Sequence, residues 1–228
     1  MPTSAPRTAR AIARRELTEA IVTSARRQLA EIGPAALSVR AVARDLGMAS
    51  SAVYRYFPSR DDLLTELLVI IYGELADLLE AADADCPHDD LRGRWFTLGR
   101  TLRGWAIATP HEYALLFGSP VPGYAAPEAT IQPAGRVAGV LIALMADAEA
   151  RSTLPERAPL PTKTKELYAG LRAASGIDLS DEAAVRALTA WSGLFGALSL
   201  ELFGHLHRAI EDYAAHFELI LDRLDPTS

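Results

Sequence analysis

The chain has 228 residues, of which 50% are hydrophobic and 23% are charged. This composition is typical of a soluble globular protein and excludes a disordered or fibrous one, and the length allows one large domain or two small ones. The single cysteine, Cys86, excludes an internal disulfide, and no apolar run approaches the ~20 residues that a membrane span needs.

Charge is distributed unevenly along the chain. The formal net charge is −6, but residues 1–60 hold ten arginines and four acidic residues, so this part carries +6 and the remainder carries −12. An acidic total argues against a nucleic-acid partner, whereas a basic end on an acidic body favours DNA contact through that end alone. Residues 1–15 have charges without an apolar core, so we expect no secretory signal, no membrane association and a cytoplasmic location.

The first helix is predicted over residues 14–32. Its apolar positions recur every three or four residues, which predicts one buried face made of Leu17, Ile21, Ala25, Leu29 and Ile32. Residues 7–15 form a basic arm before this helix. Such an arm can contact phosphates or a minor groove, or it can be a solvated tail, and the residues alone leave both interpretations open.

A helix-turn-helix is predicted after the break at residues 33–34. Ser38 is a suitable N-cap for its first helix, and Gly47, which tolerates positive φ, ends that helix. A second short helix is expected to begin within three residues and to end at Phe57, with Val53 and Phe57 on its apolar side. Two short helices joined by a glycine-containing turn form a unit whose second helix can lie in the DNA major groove.

Three runs of residues carry a family resemblance: Leu46-Gly47-Met48, Val53-Tyr54-Arg55-Tyr56-Phe57 and Ser59-Arg60-Asp61-Asp62-Leu63-Leu64. Together they resemble the DNA-binding signature of the tetracycline-repressor (TetR) family. Two positions depart from the family pattern, since Ala49 stands where a Ser or Thr usually caps the recognition helix and Arg60 replaces the usual Lys. The Ala cap costs roughly 1 kcal/mol, whereas Arg60 keeps the charge. The resemblance implies a transcription regulator, by default a repressor.

The predicted DNA contacts lie on the second helix and beside it. Its outward side offers Ser50, Ser51, Ala52 and Arg55, of which the two serines and the arginine are expected to read base edges. The residues expected to hold this region on phosphates are Ser38, Arg40, Tyr54, Tyr56 and Arg60. The expected partner is double-stranded DNA with a pseudo-palindromic operator.

The spacing of apolar residues predicts helices along the whole chain, and no strand pattern is found. We predict an all-α fold with a helix-turn-helix DNA-binding domain over residues 8–60 and a helical ligand-binding and dimerisation domain over 61–228, whose residues 61–84 form a connecting helix. Further helices are expected at about 92–108, 111–117, 131–148, 165–174, 180–205 and 209–224. A loop is expected over 118–124 and a proline-containing linker over 151–165.

The last two predicted helices are apolar and rich in small residues. They are too apolar to face water on one side, so we predict that they pair with their copies in a second subunit as a four-helix bundle. One short helix contacts too few bases for useful specificity, and a two-fold dimer presents two such helices, spaced about 34–36 Å or a multiple of it. The family resemblance implies the same homodimer.

Aromatic residues in the body favour a cavity for a small apolar or aromatic ligand, although aromatic residues at helical spacing also form ordinary core. The candidate lining residues are Trp95, Trp105, His111, Tyr113, Phe117, Tyr124, Met145, Trp191 and Phe195. A ligand would act by binding better to a conformation whose DNA-binding domains are wrongly spaced, with the connecting helix transmitting the shift. Residues 110–127 and 191–196 resemble the WHG-type C-terminal domain of some TetR members.

Catalytic and metal sites have little support. The five histidines show no Ser-His-Asp or metal-ligand spacing, and Cys86 with His88 supplies only two ligands, so we expect no enzyme, cofactor or metal. Two alternatives stay open. One is a DNA-binding regulator without a small-molecule ligand, controlled by a protein partner or by concentration. The other is a helical dimer that has lost DNA binding, against which the arginine-rich N-terminal part argues.

Overall fold

The computed structural model describes residues 5–151 and 167–227. Its α-helices, numbered in chain order, are α1 (Ala5–Ile32), α2 (Val39–Asp45), α3 (Ser50–Val53), α4 (Arg60–Ala84), α5 (Leu91–Ala108), α6 (Pro110–Phe117), α7 (Ile131–Ala150), α8 (Ala169–Ser175), α9 (Asp181–Leu202) and α10 (Tyr213–Leu224). No β-strand occurs among these residues, and the predicted all-α fold is confirmed. The predicted linker lies outside the described residues except for its first residue.

Several helix bounds differ from the prediction, and three of the differences have a local explanation or consequence. Helix α1 begins at Ala5 rather than near residue 14, because Pro6 is tolerated in the first turn of a helix. Helix α3 ends earlier, at Val53, and hydrogen-bonded turns continue the chain from there. Helix α10 begins later, at Tyr213, where the Asp212 side chain accepts a hydrogen bond from a backbone N–H of the first turn.

The chain divides into two compact units. The first unit consists of Met1–Ile71 and His111–Thr130, and the second consists of Tyr72–Pro110 and Ile131–Ser228. Helix α4 is continuous through the boundary. The division into domains at residue 60 stays a prediction. The two compact units have other bounds, because α6 and the loop after it pack with the N-terminal residues.

The core of the first unit includes one face of α1. Ile21, Ala25 and Leu29 are fully buried, as the apolar spacing predicts, and burying one such Leu or Ile side chain stabilises the fold by about 1.5–3 kcal/mol. Ile32, predicted on the same face, is 52% exposed. It is the last residue of α1, and Gly33, with φ of 73°, turns the chain away directly after it.

In the second unit, α5, α7, α9 and α10 pack against one another. Trp95 of α5 is buried, and its Nε1–H donates a hydrogen bond to the Leu221 carbonyl oxygen of α10 at 2.8 Å. Gly193 of α9 permits a close approach, because a Cβ at this position would overlap the side chain of Leu224. A small residue in α9 therefore serves packing against α10 of the same chain.

Buried charges join three helices of the second unit. Arg94 of α5 is 3% exposed, and its guanidinium donates two hydrogen bonds to Asp83 of α4, both 2.8 Å long. A third bond of 2.7 Å reaches Asp147 of α7. The hydrogen bonds to Asp83, and then those to Asp147, raise the pKa of Arg94 above its ordinary value despite burial. This arrangement compensates a charge that would be costly to bury alone.

Two segments, Glu128–Ala150 and Asp181–Leu202, are long and apolar enough to cross a membrane by length and composition alone. Core helices of soluble proteins pass the same test, and residues of α7 and α9 such as Leu144 and Leu198 are fully buried inside the unit. These segments are therefore weak evidence for a membrane.

Candidate nucleic-acid interface

Helices α2 and α3 form the predicted helix-turn-helix. The Ser38 hydroxyl accepts a hydrogen bond from the Ala41 N–H at the start of α2, as the N-cap prediction requires. Gly47, with φ of 65°, ends the helix in the left-handed conformation that favours glycine. Nearby, the Met48 N–H donates to the Ala43 carbonyl at 2.8 Å, so the turn between the helices satisfies its own backbone.

The recognition segment, Ser50–Tyr56, is anchored by two apolar side chains. Val53 is fully buried and Phe57 is 6% exposed, in agreement with the predicted apolar side. Ala49 precedes α3 without a side-chain cap. Since a cap is worth about 1 kcal/mol, the buried anchors rather than the cap hold this four-residue helix in place.

Polar contacts tie the recognition region to its neighbours. Asp45, at the end of α2, accepts hydrogen bonds from the Ser24 hydroxyl and the Arg27 guanidinium of α1. The bond from Ser24, followed by that from Arg27, lowers the pKa of Asp45 below its ordinary value. Because both donors belong to α1, these contacts fix the position of α2 on α1.

The predicted DNA-contacting residues differ in how accessible they are. Arg40, Ser51, Tyr54 and Arg55 are exposed, whereas Ser38, Ser50, Ala52, Tyr56 and Arg60 are half-buried. Arg60 differs from the others, because its Nη2 donates to the backbone carbonyls of Pro34 and Ala35 at 2.9 and 3.0 Å. Its guanidinium thereby joins the start of α4 to the turn before α2, in addition to the phosphate contact predicted for it.

Arg14, which is not among the predicted DNA-contacting residues, also borders the recognition segment. The Arg14 guanidinium of α1 lies over the Tyr56 ring, with its carbon 5.3 Å from the ring centroid. Arg14 and Arg55 border an open pocket of about 230 Å³ whose other walls are Leu17, Met48, Ala52 and Tyr56. No local sequence pattern could have shown this contact, because the two residues are far apart along the chain.

A second, apolar cavity lies inside the second unit. Its volume is about 30 Å³, and it is lined by Leu79, Trp95, Leu98, Leu102, Val137, Val140, Leu141, Trp191, Leu194 and Phe195. The rings of Trp191 and Phe195 are in contact, with centroids 4.4 Å apart. The volume suffices for one or two waters, but the lining is almost entirely apolar and a water needs two to four polar partners, so we expect the cavity to be dry.

Comparisons with known proteins decide the family. Residues 95–224, more than half of the chain, match the family described as "Tetracyclin repressor-like, C-terminal domain". Residues 21–67 match "Bacterial regulatory proteins, tetR family", and this range contains the helix-turn-helix. The chain belongs to the TetR family.

Relatives named as regulators agree with this TetR membership. The chain is 43% identical over 197 residues to the HTH-type transcriptional regulator Rv1816 of Mycobacterium tuberculosis (strain H37Rv), covering 84% of this chain and 83% of the relative. The HTH-type transcriptional regulator Mb1846 of Mycobacterium bovis matches with the same identity and the same coverage. This TetR protein is thus a DNA-binding transcription regulator and not an enzyme.

Solved structures of the TetR fold resemble the chain over nearly its full length. The proposed regulatory protein SCO4313 matches with a TM-score of 0.76 and 35% identity, covering 98% of both chains. PfmR, a TetR-family transcriptional regulator of Thermus thermophilus, has a TM-score of 0.54 and 18% identity over 89% of this chain and 97% of its own. At such low identity the second likeness concerns the fold alone.

The predicted ligand-contacting residues of this TetR protein are divided between the two units. Three of the nine line the apolar cavity: Trp95, Trp191 and Phe195. Met145 is fully buried and Trp105 is half-buried in the same unit, outside the cavity lining. The other four, His111, Tyr113, Phe117 and Tyr124, belong to the first unit.

In the first unit these aromatic residues have structural contacts. Tyr113 is fully buried with its ring centroid 5.4 Å from that of Phe117. The Tyr124 and Thr65 hydroxyls share a hydrogen bond of 2.9 Å. Three of the nine candidate residues therefore line the apolar cavity, and contact of each candidate with a ligand stays a prediction.

Proposed function

We propose that this TetR-family protein is a repressor that binds a pseudo-palindromic operator as a homodimer in the cytoplasm and is released by a small apolar ligand. The observation that carries the DNA-binding part is the recognition segment, which offers Ser51, Tyr54 and Arg55 to solvent from a basic part of the chain. Arg55 has the geometry to donate two hydrogen bonds to one guanine, while Arg40 suits a phosphate.

Two substitutions separate base reading from phosphate contact. Arg55→Ala should weaken binding to the preferred operator by about 5- to 150-fold for each of the two half-sites and weaken a scrambled duplex much less, because a good bidentate base contact is worth ~1–3 kcal/mol. Arg40→Ala should weaken both duplexes and reduce the salt slope by about one unit per phosphate contact. Fluorescence anisotropy on the best duplex selected from a random pool and on its scrambled version would measure both. Equal affinities of Arg55→Ala and wild type for both duplexes would contradict the base-reading role.

The proposed dimer rests on apolar surface near the C-terminus. Leu200 of α9 and Phe203 just after it are each 44% exposed, and Leu219 of α10 is 62% exposed. Side chains of this size are expected to be covered in an oligomer when they cluster. Sedimentation should give twice the monomer mass at micromolar concentration, and Leu219→Glu should lower it towards the monomer. A monomeric wild-type mass would refute this part of the proposal.

The ligand part rests on the apolar cavity in the second unit. Its volume of about 30 Å³ is far below the ~300–1,000 Å³ of drug-sized ligand sites, so a ligand requires the Trp191 and Phe195 rings to move apart. A ligand that binds only this expanded conformation shifts the population towards it, and helix α4 is expected to transmit the change. A phenylalanine replacing Val140 would fill the cavity without touching the DNA-binding residues.

A thermal-shift screen with small apolar and aromatic compounds tests this mechanism. A compound that raises the melting temperature of wild type, lowers its operator affinity and does neither to Val140→Phe would support ligand release. The small cavity volume also favours a second candidate function, a regulator without a small-molecule ligand that is controlled by a protein partner or by concentration. Failure of every apolar compound, with full repression in the cell, would favour this second function.

A further inference from the structure

We propose that the pocket between α1 and the recognition segment binds a phosphodiester of the DNA backbone, with Arg14 as a DNA-contacting residue held in place by Tyr56. The inference rests on DNA binding by this protein and adds a site to it. The pocket is bordered by Arg14, Leu17, Met48, Ala52, Arg55 and Tyr56, and its volume is about 230 Å³. This is many times the volume that one water needs, so a phosphate group fits.

The positive charges around this pocket favour a bound anion. Arg14 and Arg55 both border it and both are exposed, and no carboxylate among the described residues pairs with either of them. Two cations beside one pocket repel each other until an anion lies between them. The neighbouring Arg15, by contrast, pairs with Glu19 on the same helix at 3.5 Å. Arg14 is therefore a cation available to a ligand, and Arg15 is its matched control.

Tyr56 gives Arg14 a fixed place. The guanidinium carbon lies over the ring at 5.3 Å from its centroid, and a guanidinium in such a cation–π contact keeps N–H donors that an anion can accept from. The contact also reduces the side-chain freedom that a long arginine loses on binding. Because Tyr56 is the last residue of the recognition segment, this contact joins α1 to that segment.

The basic arm, residues 7–15, was expected to contact either phosphates or a minor groove if it binds DNA. The helical conformation of the N-terminal residues decides between these two contacts. Helix α1 extends back to Ala5, so Arg10 and Arg14 lie one turn apart on a regular helix. A helix with side chains is about 10–12 Å across, whereas the minor groove is about 6 Å wide. The arm therefore cannot enter the minor groove as a helix, which leaves a backbone phosphate as the DNA contact of Arg14.

The test compares Arg14→Ala with Arg15→Ala on the selected operator and on a scrambled duplex. Arg14→Ala should weaken both duplexes alike, by about tenfold or more, and reduce the slope of log K against log salt by about 0.9 for each DNA-binding domain. Arg15→Ala should change neither quantity as much. Circular dichroism would check that both variants remain folded, as their exposed positions predict.

A double-mutant cycle tests the part played by Tyr56. Tyr56→Phe keeps the ring, so the effect of Arg14→Ala should be unchanged in that background, whereas it should shrink several-fold in Tyr56→Ala. A separate titration with inorganic phosphate, followed by NMR of the arginine side chains, tests for a free anion as the occupant. Arg14→Ala that abolishes phosphate binding but leaves both duplexes unchanged would assign the pocket to a free anion and overturn the proposal.

Two further outcomes are distinguishable. If wild type binds DNA and Arg14→Ala behaves like Arg15→Ala on both duplexes, the phosphodiester site is refuted while the proposed function stands. If wild type binds no duplex at low salt, both the proposed function and this inference are wrong.

Discussion

Burial should decide what two arginines of helix α5 contribute to stability. Arg94 and Arg100 lie on the same helix, and each guanidinium makes a two-pronged contact with one carboxylate, Asp83 and Glu218 respectively. The Arg94 side chain is 4% exposed, whereas that of Arg100 is 58% exposed. Arg94→Met and Arg100→Met therefore each remove a two-pronged carboxylate contact, one buried and one exposed, and Arg94→Met also removes the hydrogen bond to Asp147.

The expected magnitudes differ several-fold. Arg94→Met leaves the carboxylates of Asp83 and Asp147 without their cation, and breaking a buried pair in this way typically costs ~3–5 kcal/mol. An exposed pair such as Arg100–Glu218 is worth only about 0.2–1 kcal/mol. For a chain of this length each kcal/mol shifts the melting temperature by roughly 2–4 °C. We expect a loss of about 6–20 °C for Arg94→Met and at most about 4 °C for Arg100→Met.

Thermal unfolding followed by circular dichroism, at low and at high salt, measures both effects. Salt should reduce the Arg100 effect and leave most of the Arg94 effect, because screening acts on exposed charges. Adding Asp83→Asn to Arg94→Met should restore part of the lost stability, since it removes one uncompensated charge. Equal losses of stability in the two single variants, or a larger loss once Asp83→Asn is added, would refute this role of burial.

Three further predictions concern the helix-turn-helix. Ser38→Ala should lower the free energy of unfolding by about 0.5–2 kcal/mol in a urea titration, because it removes the α2 cap, with Ser38→Thr as the control that keeps it. Gly47→Ala should cost about 1–2 kcal/mol in the same titration, because its φ of 65° is unfavourable for a residue with a Cβ. Asp45 has a pKa lowered by Ser24 and Arg27, so it stabilises the fold above its unfolded pKa of about 3.8 and loses this contribution as pH falls through the lower folded value. Asp45→Asn should therefore show a smaller fall in melting temperature than wild type between pH 5 and pH 2, and equal falls would contradict the assignment.

The helix-turn-helix was predictable because its signals are local. The hydroxyl of Ser38 needs only a helix beginning beside it, and Gly47 supplies a backbone conformation that neighbouring residues do not alter. The burial of Val53, the last residue of α3, and of Phe57 after it likewise follows from their spacing. The residues that carry the family resemblance are these same local signals, and the comparisons confirm the family they indicated.

The small residues of helix α9 allowed close packing to be predicted from the sequence, but not the helix that packs against them. Their pattern indicated a close approach between helices, and the structure has one at Gly193, but the partner is Leu224 of the same chain. A composition pattern shows that something packs closely and cannot name the neighbour. Homodimerisation through α9 and α10 therefore stays a proposal that rests on the exposed apolar residues of these helices.

The all-α class, the N-cap of α2 at Ser38, its end at Gly47 and the family were predictable from sequence alone, because each depends on backbone preferences and hydrogen bonds within a few residues. Tertiary structure alone decided that the Arg14 guanidinium lies over the Tyr56 ring, that Arg94 is buried between two carboxylates, and that three of the nine candidate ligand-contacting residues line one small cavity. These contacts join residues far apart along the chain. Their energies depend on burial and on distance between side chains, and both quantities exist only once the helices have packed.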